Sequence, residues 1–121
     1  MAEKFMAALR NSDQIDITVT GRTTGREITV PVWFVEDDGK LHLVPVNGSD
    51  SDWYKNARAT PRMQLTADRE SIAVTATPVT GPDRVRTIVE RFRGKYGADQ
   101  IASYYPKTDA AVEVSLPKEA A

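Results

Sequence analysis

The sequence contains no cysteine and a single histidine, His42, and each shortage excludes a class of chemistry. Without cysteine the chain cannot form a disulfide framework, a thiolate metal site or a thiol nucleophile. With one histidine, neither a His-rich metal site nor a His-based catalytic triad is expected. Because most side-chain catalysts are missing, we expect any enzymatic activity to use carboxylates and hydroxyls or the chemistry of a bound cofactor.

The sequence also lacks an excess of charge and any long apolar run. Its 16 Lys and Arg residues nearly balance 17 Asp and Glu residues, which leaves a net charge of -1. Without a basic excess, nucleic acid is not an expected partner. No segment approaches the roughly 20 apolar residues that span a bilayer, and the first residues do not form a secretory signal. We therefore expect a cytoplasmic protein with no membrane partner.

The composition that remains is typical of one folded domain. Hydrophobic residues make up 40% of the 121 residues, which is the share of an ordinary globular chain. A chain of this length suffices for one core and is too short for two ordinary domains. We therefore expect a single domain over residues 1–121.

Short segments of alternating apolar and polar residues dominate the chain, and such alternation is typical of strands with one buried face. Pro31 lies inside the second segment and cannot donate to a strand ladder, which indicates an edge, a bulge or a bend. Since long helices do not separate the strands, the sequence predicts a mainly β fold with flanking helices, of the α+β class, built as an antiparallel barrel or sheet. The predicted strands are residues 15–20, 28–35, 41–44, 63–67, 72–79 and 111–116.

Turn and capping residues mark the boundaries between these segments. Asp38-Gly39 favours a type I′ hairpin, because this dipeptide supplies the positive φ values that the turn requires. Gly81-Pro82-Asp83 predicts the start of a long helix that ends at Gly97, since Pro suits the first helical position and Asp the first turn. Shorter helices are expected over residues 2–10, after the polar loop 47–52 and over residues 101–105.

The turn between the first two strands is the first candidate for a binding site. It presents two guanidiniums, hydroxyls and glycine-flanked backbone amides, and such groups can hold an anion. The alternative is an ordinary hairpin turn with solvated polar residues, because the spacing is not that of a Walker loop. The candidate residues are Arg22, Thr23, Thr24, Gly25 and Arg26.

The loop from Asn47 to Asn56 is the second candidate. Here a loop containing Gly48 runs into a helix N-terminus, which favours an anion or a polarised carbonyl, and Trp53 could border an aromatic ring. The alternative is a capped helix with Trp53 in the core.

Trp33, His42 and the arginines of the long helix are further residues for which the sequence allows a functional or a structural role. Trp33 could cover a second apolar layer, lie in a subunit interface or line a ligand groove. His42 is expected to be a solvated or hydrogen-bonded strand residue. The arginines of the long helix form a solvated face or contact an acidic cofactor tail.

Taken in order, several motifs within residues 15–80 resemble those of the deazaflavin-dependent nitroreductases, which belong to the flavin/deazaflavin oxidoreductases. The combination of Thr-Gly-Arg-x-Thr-Gly, a Val-Pro strand and Trp-Tyr-x-Asn carries the resemblance, and no single motif would suffice. The segments concerned are residues 17–25, 30–35, 37–41, 47–48, 53–56 and 56–61.

The resemblance implies a six-stranded antiparallel split β-barrel that forms a homodimer and binds a deazaflavin (coenzyme F-420) or FMN in a groove beside the barrel. It implies that the turn from Arg22 to Arg26 approaches the cofactor phosphate. It also implies that Val30, Pro31, Val32 and Trp33 run along the ring system, and that Asn47, Gly48 and Trp53 complete the pocket. Members that use the deazaflavin often carry basic residues where this chain has the neutral Thr23 and Asn47, so the phosphate would rely on Arg22, Arg26 or the helix arginines.

The leading hypothesis is therefore an oxidoreductase that transfers hydride from the cofactor to a small electrophilic acceptor such as a quinone, an enone or a nitro compound. In this reading the cofactor supplies the chemistry and the protein supplies orientation and access. A non-catalytic protein of the same fold that sequesters a small ligand is the second hypothesis. A structural dimer with an empty groove is the third.

Overall fold

The computed structural model describes residues 2–116, so Met1 and residues 117–121 of the predicted domain lie outside the described residues. Eight strands, four α-helices and one 3-10 turn follow one another along this range. They are α1 (Ala2–Arg10), β1 (Ile15–Thr20), β2 (Glu27–Val32), β3 (Val35–Asp37), β4 (Lys40–Leu43), the 3-10 turn Gly48–Asp50, α2 (Asp52–Ala59), β5 (Arg62–Ala67), β6 (Glu70–Thr75), β7 (Thr77–Val79), α3 (Pro82–Tyr96), α4 (Ala98–Tyr104) and β8 (Ala111–Ser115).

The strands form two four-stranded antiparallel sheets. The first has the order β2-β1-β5-β6 and the second the order β3-β4-β8-β7. In the first sheet Ile17 of β1 pairs with Val30 of β2 and with Leu65 of β5. The predicted α+β class is confirmed, but the prediction of six strands is wrong, because two of the predicted strands are each divided in two.

The first division falls at Trp33 and Phe34, between β2 and β3. The Phe34 N–H donates to the Tyr96 hydroxyl over 3.2 Å, and the Phe34 carbonyl accepts from Lys95 Nζ over 2.8 Å. Side chains of α3 thus replace the strand partners of this backbone, which lets the chain leave one sheet and enter the other. Pro31 lies just before this bend, in an edge strand, as its missing N–H predicts.

The second division falls at Ala76, between β6 and β7. Its N–H donates to the Pro61 carbonyl over 2.7 Å, which extends the pairing of β6 with β5 by one residue beyond the Arg62–Thr75 pair. Beyond this point Pro78 pairs with Val112 in the second sheet. The two sheets are consequently joined at both edges by chain that passes from one to the other.

Two clusters of buried side chains form the core. The first lies between the sheets, α1 and α2 and includes Phe5, Ile17 and Tyr54. The second lies beneath α3 and includes Ile88 and Phe92. The long helix that Gly81-Pro82 predicts is confirmed, with its apolar face buried, and none of the helices within residues 2–116 is long and apolar enough to cross a membrane.

The hairpin between β3 and β4 also has the predicted form. Asp38 and Gly39 have φ values of 51° and 77°, which are the positive values of a type I′ turn. This hairpin brings β4 beside β8, where Leu41 pairs with Val114.

Candidate functional site

A cavity of about 570 Å³ lies beside β2, between the loop that follows β4 and the end of α4. Its volume falls within the range of about 300–1,000 Å³ that small-molecule sites occupy. The lining residues are Gln14, Ile28, Val30, Pro31, Val32, Trp33, Val44, Val46, Asn47, Ser51, Asp52, Trp53, Asn56, Tyr104 and Tyr105.

One wall of the cavity is formed by apolar side chains of β2. Because β2 is an edge strand, the core covers these side chains only in part and they remain available to the cavity. Val30 and Val32 are half-buried and pack against the first core cluster. Ile28 is 40% exposed, and with Val46 and Tyr104 it belongs to the exposed large hydrophobic residues of the described chain. All three line the cavity, so exposed apolar surface is concentrated at its opening.

Aromatic rings close the cavity near the bend between β2 and β3. Trp33 stacks on Tyr96 with ring centroids 4.3 Å apart and an interplanar angle of 7°, while Tyr104 meets Trp33 edge-on at 5.7 Å. Burial raises the pKa of the Tyr105 phenol to about 12, so this hydroxyl keeps its proton at neutral pH. Trp33 therefore packs in the second apolar cluster and lines the cavity as well.

The loop between β4 and α2 is held in place by a group of four residues, which we call the clasp: Ser49, Asp50, Lys107 and Asp109. The Ser49 N–H and hydroxyl both donate to the Asp109 carboxylate, over 2.8 and 2.6 Å, and Lys107 Nζ lies 2.8 Å from Asp50 Oδ2. The hydrogen bonds from Ser49 lower the pKa of Asp109. The clasp joins the loop carrying Asn47 to the segment that follows Tyr104 and Tyr105, and Asn47, Tyr104 and Tyr105 line the cavity.

Gly48 lies inside the clasp and not in the cavity lining. It has a φ of +58°, and a Cβ at this position would lie 2.1 Å from Asp109 Oδ1. Ser51 directly precedes α2, which begins after the polar loop as predicted, but the Ser51 hydroxyl accepts from the Asn47 N–H over 2.8 Å and does not cap the helix.

The turn between β1 and β2 approaches the cavity through one residue, Arg22. Its backbone N–H and its Nη1 donate to Asn56 Oδ1 over 3.0 and 2.7 Å, and its Nη2 lies 3.4 Å from Asp52 Oδ1. Both partners line the cavity. Arg22 thus attaches the turn to α2 at the edge of the cavity.

The other residues of this turn shape its backbone. The Thr24 hydroxyl accepts from the Arg26 N–H over 3.2 Å, and the Gly25 N–H donates to the Gly21 carbonyl over 2.8 Å. Thr23 and Arg26 are exposed. Arg22 therefore lies next to the cavity, while Thr23, Thr24, Gly25 and Arg26 do not line it.

Of the twelve site residues expected from the sequence, six line the cavity, namely Val30, Pro31, Val32, Trp33, Asn47 and Trp53. Sequence reasoning did not select Gln14, Val46, Tyr104 or Tyr105. The exposed Tyr104 in a short helix was the available signal, but nothing near it in the chain relates it to Trp33.

His42 lies outside this cavity, buried between β4 and α3. Its Nε2 is 3.0 Å from Glu113 Oε1, which confirms the prediction of a hydrogen-bonded strand histidine. Lys40 and Arg84 also pair with Glu113. The hydrogen bond from His42 is the largest of the effects that lower the pKa of Glu113 to about 2, so this group joins the sheet to the helix as an ionised carboxylate.

Residues 2–116 contain no cluster of His, Asp and Glu side chains suited to a metal ion. The fold and the cavity define a small α+β protein with a partly apolar, aromatic-lined cavity whose volume suits a small molecule. A family model described as F420H(2)-dependent quinone reductase matches residues 3–117, and the chain belongs to this family. The predicted resemblance and the predicted cofactor class, a deazaflavin or a flavin, are confirmed, and the chain is a deazaflavin-dependent reductase by family.

Solved structures agree with this assignment. An F420-H2 dependent reductase is 26% identical with a TM-score of 0.66, over 85% of this chain and 94% of that chain. A structure described as a domain-swapped dimer is also 26% identical with a TM-score of 0.66, over 85% of this chain and 80% of that chain. A FAD-binding protein from Mesorhizobium loti, 15% identical with a TM-score of 0.63 over 98% of this chain and 91% of that chain, shares the fold.

Proposed function

We propose that the chain binds a reduced deazaflavin, or FMN, in the cavity beside β2 and transfers hydride to a small electrophilic acceptor such as a quinone, an enone or a nitro compound. The observation that carries this proposal is the cavity itself. It combines an apolar strand wall and aromatic rings with a few side-chain amides and hydroxyls, a combination that fits a planar ring with polar edges.

In this proposal the wall along the ring system is formed by Val30, Pro31 and Val32 of β2 and by Trp33, which follows the strand. Asn47 and Trp53 contribute another side, and Gly48 acts on them by letting the loop pack against the clasp. The side-chain amides of Asn47 and Asn56 can donate to and accept from the polar edges of a heteroaromatic ring. When bound, the cofactor supplies the hydride, and the apolar wall holds the ring and excludes water from one side.

The phosphate of the cofactor is assigned to the turn from Arg22 to Arg26. Arg22 supports this assignment because its guanidinium lies at the edge of the cavity. Arg26 and Thr23 are exposed on the same turn and can approach an anion from solvent, and the conformation of Gly25, with a φ of 74°, sets the shape of the turn.

Tryptophan fluorescence gives a direct test, because both tryptophans of the chain, Trp33 and Trp53, line the cavity. Titration with the oxidised and reduced deazaflavin and with FMN should quench the emission in a saturable manner. Absence of quenching at tens of micromolar of every cofactor would contradict the proposal. Turnover of a quinone or nitro acceptor by the loaded protein supports the reductase, whereas binding without turnover favours a ligand-sequestering role.

We further propose that the chain forms a homodimer in which a second copy completes the opening of the cavity. Ile28, Val46 and Tyr104 are exposed at that opening, and apolar surface of this kind is typical of an interface. The similarity to a structure described as a domain-swapped dimer supports this proposal.

A further inference from the structure

The ion pair between Arg22 and Asp52 lies at the edge of the cavity. Asp52 is the charged side chain in the cavity lining over residues 2–116, and all other lining residues there are uncharged at neutral pH. Arg22 Nη2 lies 3.4 Å from Asp52 Oδ1, and Arg22 Nη1 donates to the Asp52 carbonyl over 3.3 Å. The one guanidinium at the cavity is thus already in contact with a carboxylate.

This contact changes what an incoming anion would meet. A phosphate that approaches Arg22 must share the guanidinium with Asp52 and comes close to a second negative charge. Because the Asp52 side chain is 88% exposed, solvent screens both effects, and exposed ion pairs contribute little free energy. Such a contribution alters selectivity between two related ligands without preventing either from binding.

We propose that Asp52 is a specificity-determining residue that reduces the preference of the cavity for the phosphorylated form of the cofactor over the same ring system with an uncharged side chain. The inference rests on the proposed function, since it requires a deazaflavin or flavin in this cavity. It goes further by stating that one carboxylate sets the ratio of the affinities for the phosphorylated ligand and for the same ring system without a phosphate.

The chain offers a matched control for this residue. Asp83 lies in the first turn of α3 as Asp52 does in the first turn of α2, and it pairs with Arg86 over 3.3 Å with a side chain that is 95% exposed. It does not line the cavity. Asp83→Asn therefore removes the same charge from the first turn of another helix, outside the cavity lining.

The experiment compares riboflavin with FMN, which differ by one phosphate, and repeats the comparison with the deazaflavin coenzyme and its chromophore without the phosphate tail. Dissociation constants are measured by tryptophan quenching for the unsubstituted chain, Asp52→Asn, Asp52→Glu and Asp83→Asn. We expect Asp52→Asn to raise the preference for the phosphorylated ligand by about twofold to fivefold. Asp52→Glu and Asp83→Asn should leave it unchanged.

Two results would count against the inference, and they differ in meaning. If Asp52→Asn changes the affinity for both members of a pair equally, or for neither, the carboxylate does not set the selectivity and the inference is overturned while the proposed function stands. If the unsubstituted chain binds no member of either pair, the proposed function fails together with the inference. A gain for FMN that disappears at 1 M salt supports the electrostatic origin, because the Debye length is then about 3 Å.

Discussion

At the scale of single residues, Gly48 and Gly25 separate two destabilising effects of adding a side chain, namely backbone strain at positive φ and steric overlap with neighbouring atoms. Both have positive φ, +58° for Gly48 and +74° for Gly25. A Cβ on Gly48 would lie 2.1 Å from Asp109 Oδ1 and 2.8 Å from Lys107 Cγ, whereas a Cβ on Gly25 would have no atom within 4 Å. Both substitutions strain the backbone, but only the first disturbs the clasp.

We expect Gly25→Ala to lower the free energy of unfolding by about 1 kcal/mol and Gly48→Ala to lower it by about 1–3 kcal/mol more, because Asp109 and Lys107 must move. Urea denaturation of both variants measures the difference. Equal losses of unfolding free energy for the two variants would show that the clasp accommodates a Cβ on Gly48 without a further loss of stability.

At the scale of elements, the bend between β2 and β3 depends on side chains from α3. The Tyr96 hydroxyl accepts from the Phe34 N–H and lies 2.7 Å from the Asp13 carbonyl. Tyr96→Phe keeps the ring that stacks on Trp33 but leaves the Phe34 N–H without its acceptor, so we expect a loss of about 1–3 kcal/mol in unfolding free energy.

Tyr104→Phe is the control for this variant, because the Tyr104 ring also contacts Trp33 but is 57% exposed. It should unfold at nearly the urea concentration of the unsubstituted chain. If both variants lose the same stability, the bend does not depend on the Tyr96 hydroxyl.

The contact of α3 with the second sheet has a pH dependence that follows from Glu113. Its pKa is lowered from 4.5 to about 2 in the folded chain, because His42, Lys40 and Arg84 contact the carboxylate. The stabilisation is therefore complete above about pH 4.5 and is lost as the pH falls toward 2. Glu113→Gln should cost about 1–3 kcal/mol at pH 7 and progressively less below pH 4.5. Urea denaturation across this range measures the cost, and a cost that does not change with pH would contradict the assignment.

The sequence predicted those elements whose causes lie within a few residues of each other. The Asp38-Gly39 turn and the helix that begins at Pro82 follow from local φ preferences. The bend at Phe34 does not, because its hydrogen-bond partners Lys95 and Tyr96 lie more than 60 residues away. For this reason the number of strands was wrong while their positions were nearly right.

The same distinction applies to the candidate site. Val30 to Trp33 are consecutive in the sequence, so a motif read from the chain could identify them together. Tyr104 and Tyr105 reach the cavity only because α3 and α4 return the chain to Trp33. Arg22 was expected to face an anion, and its contact with Asp52 depends on how α2 packs against the turn.

At the scale of the whole molecule, the proposed dimer can be tested at the opening of the cavity. Ile28 is 40% exposed on β2 and lines the cavity, while the neighbouring Thr29 is exposed and does not line it. Ile28→Glu should lower the dimer fraction in sedimentation equilibrium, because an unpaired charge would be buried between the copies. Thr29→Glu should have a smaller effect. A monomer at every concentration of the unsubstituted chain would contradict the proposal.

The two places where the chain passes between the sheets have a consequence for the stability of the cavity wall. An edge strand such as β2 ordinarily frays before the rest of its sheet. Here β2 continues into β3 through a bend fixed by α3, and β6 continues into β7 at the opposite edge. The outer strand of each sheet is therefore anchored at the end where it enters the other sheet. We expect the wall along which we place the cofactor ring to resist opening more at its Val32 end than at its Glu27 end, although the whole strand lies at an edge.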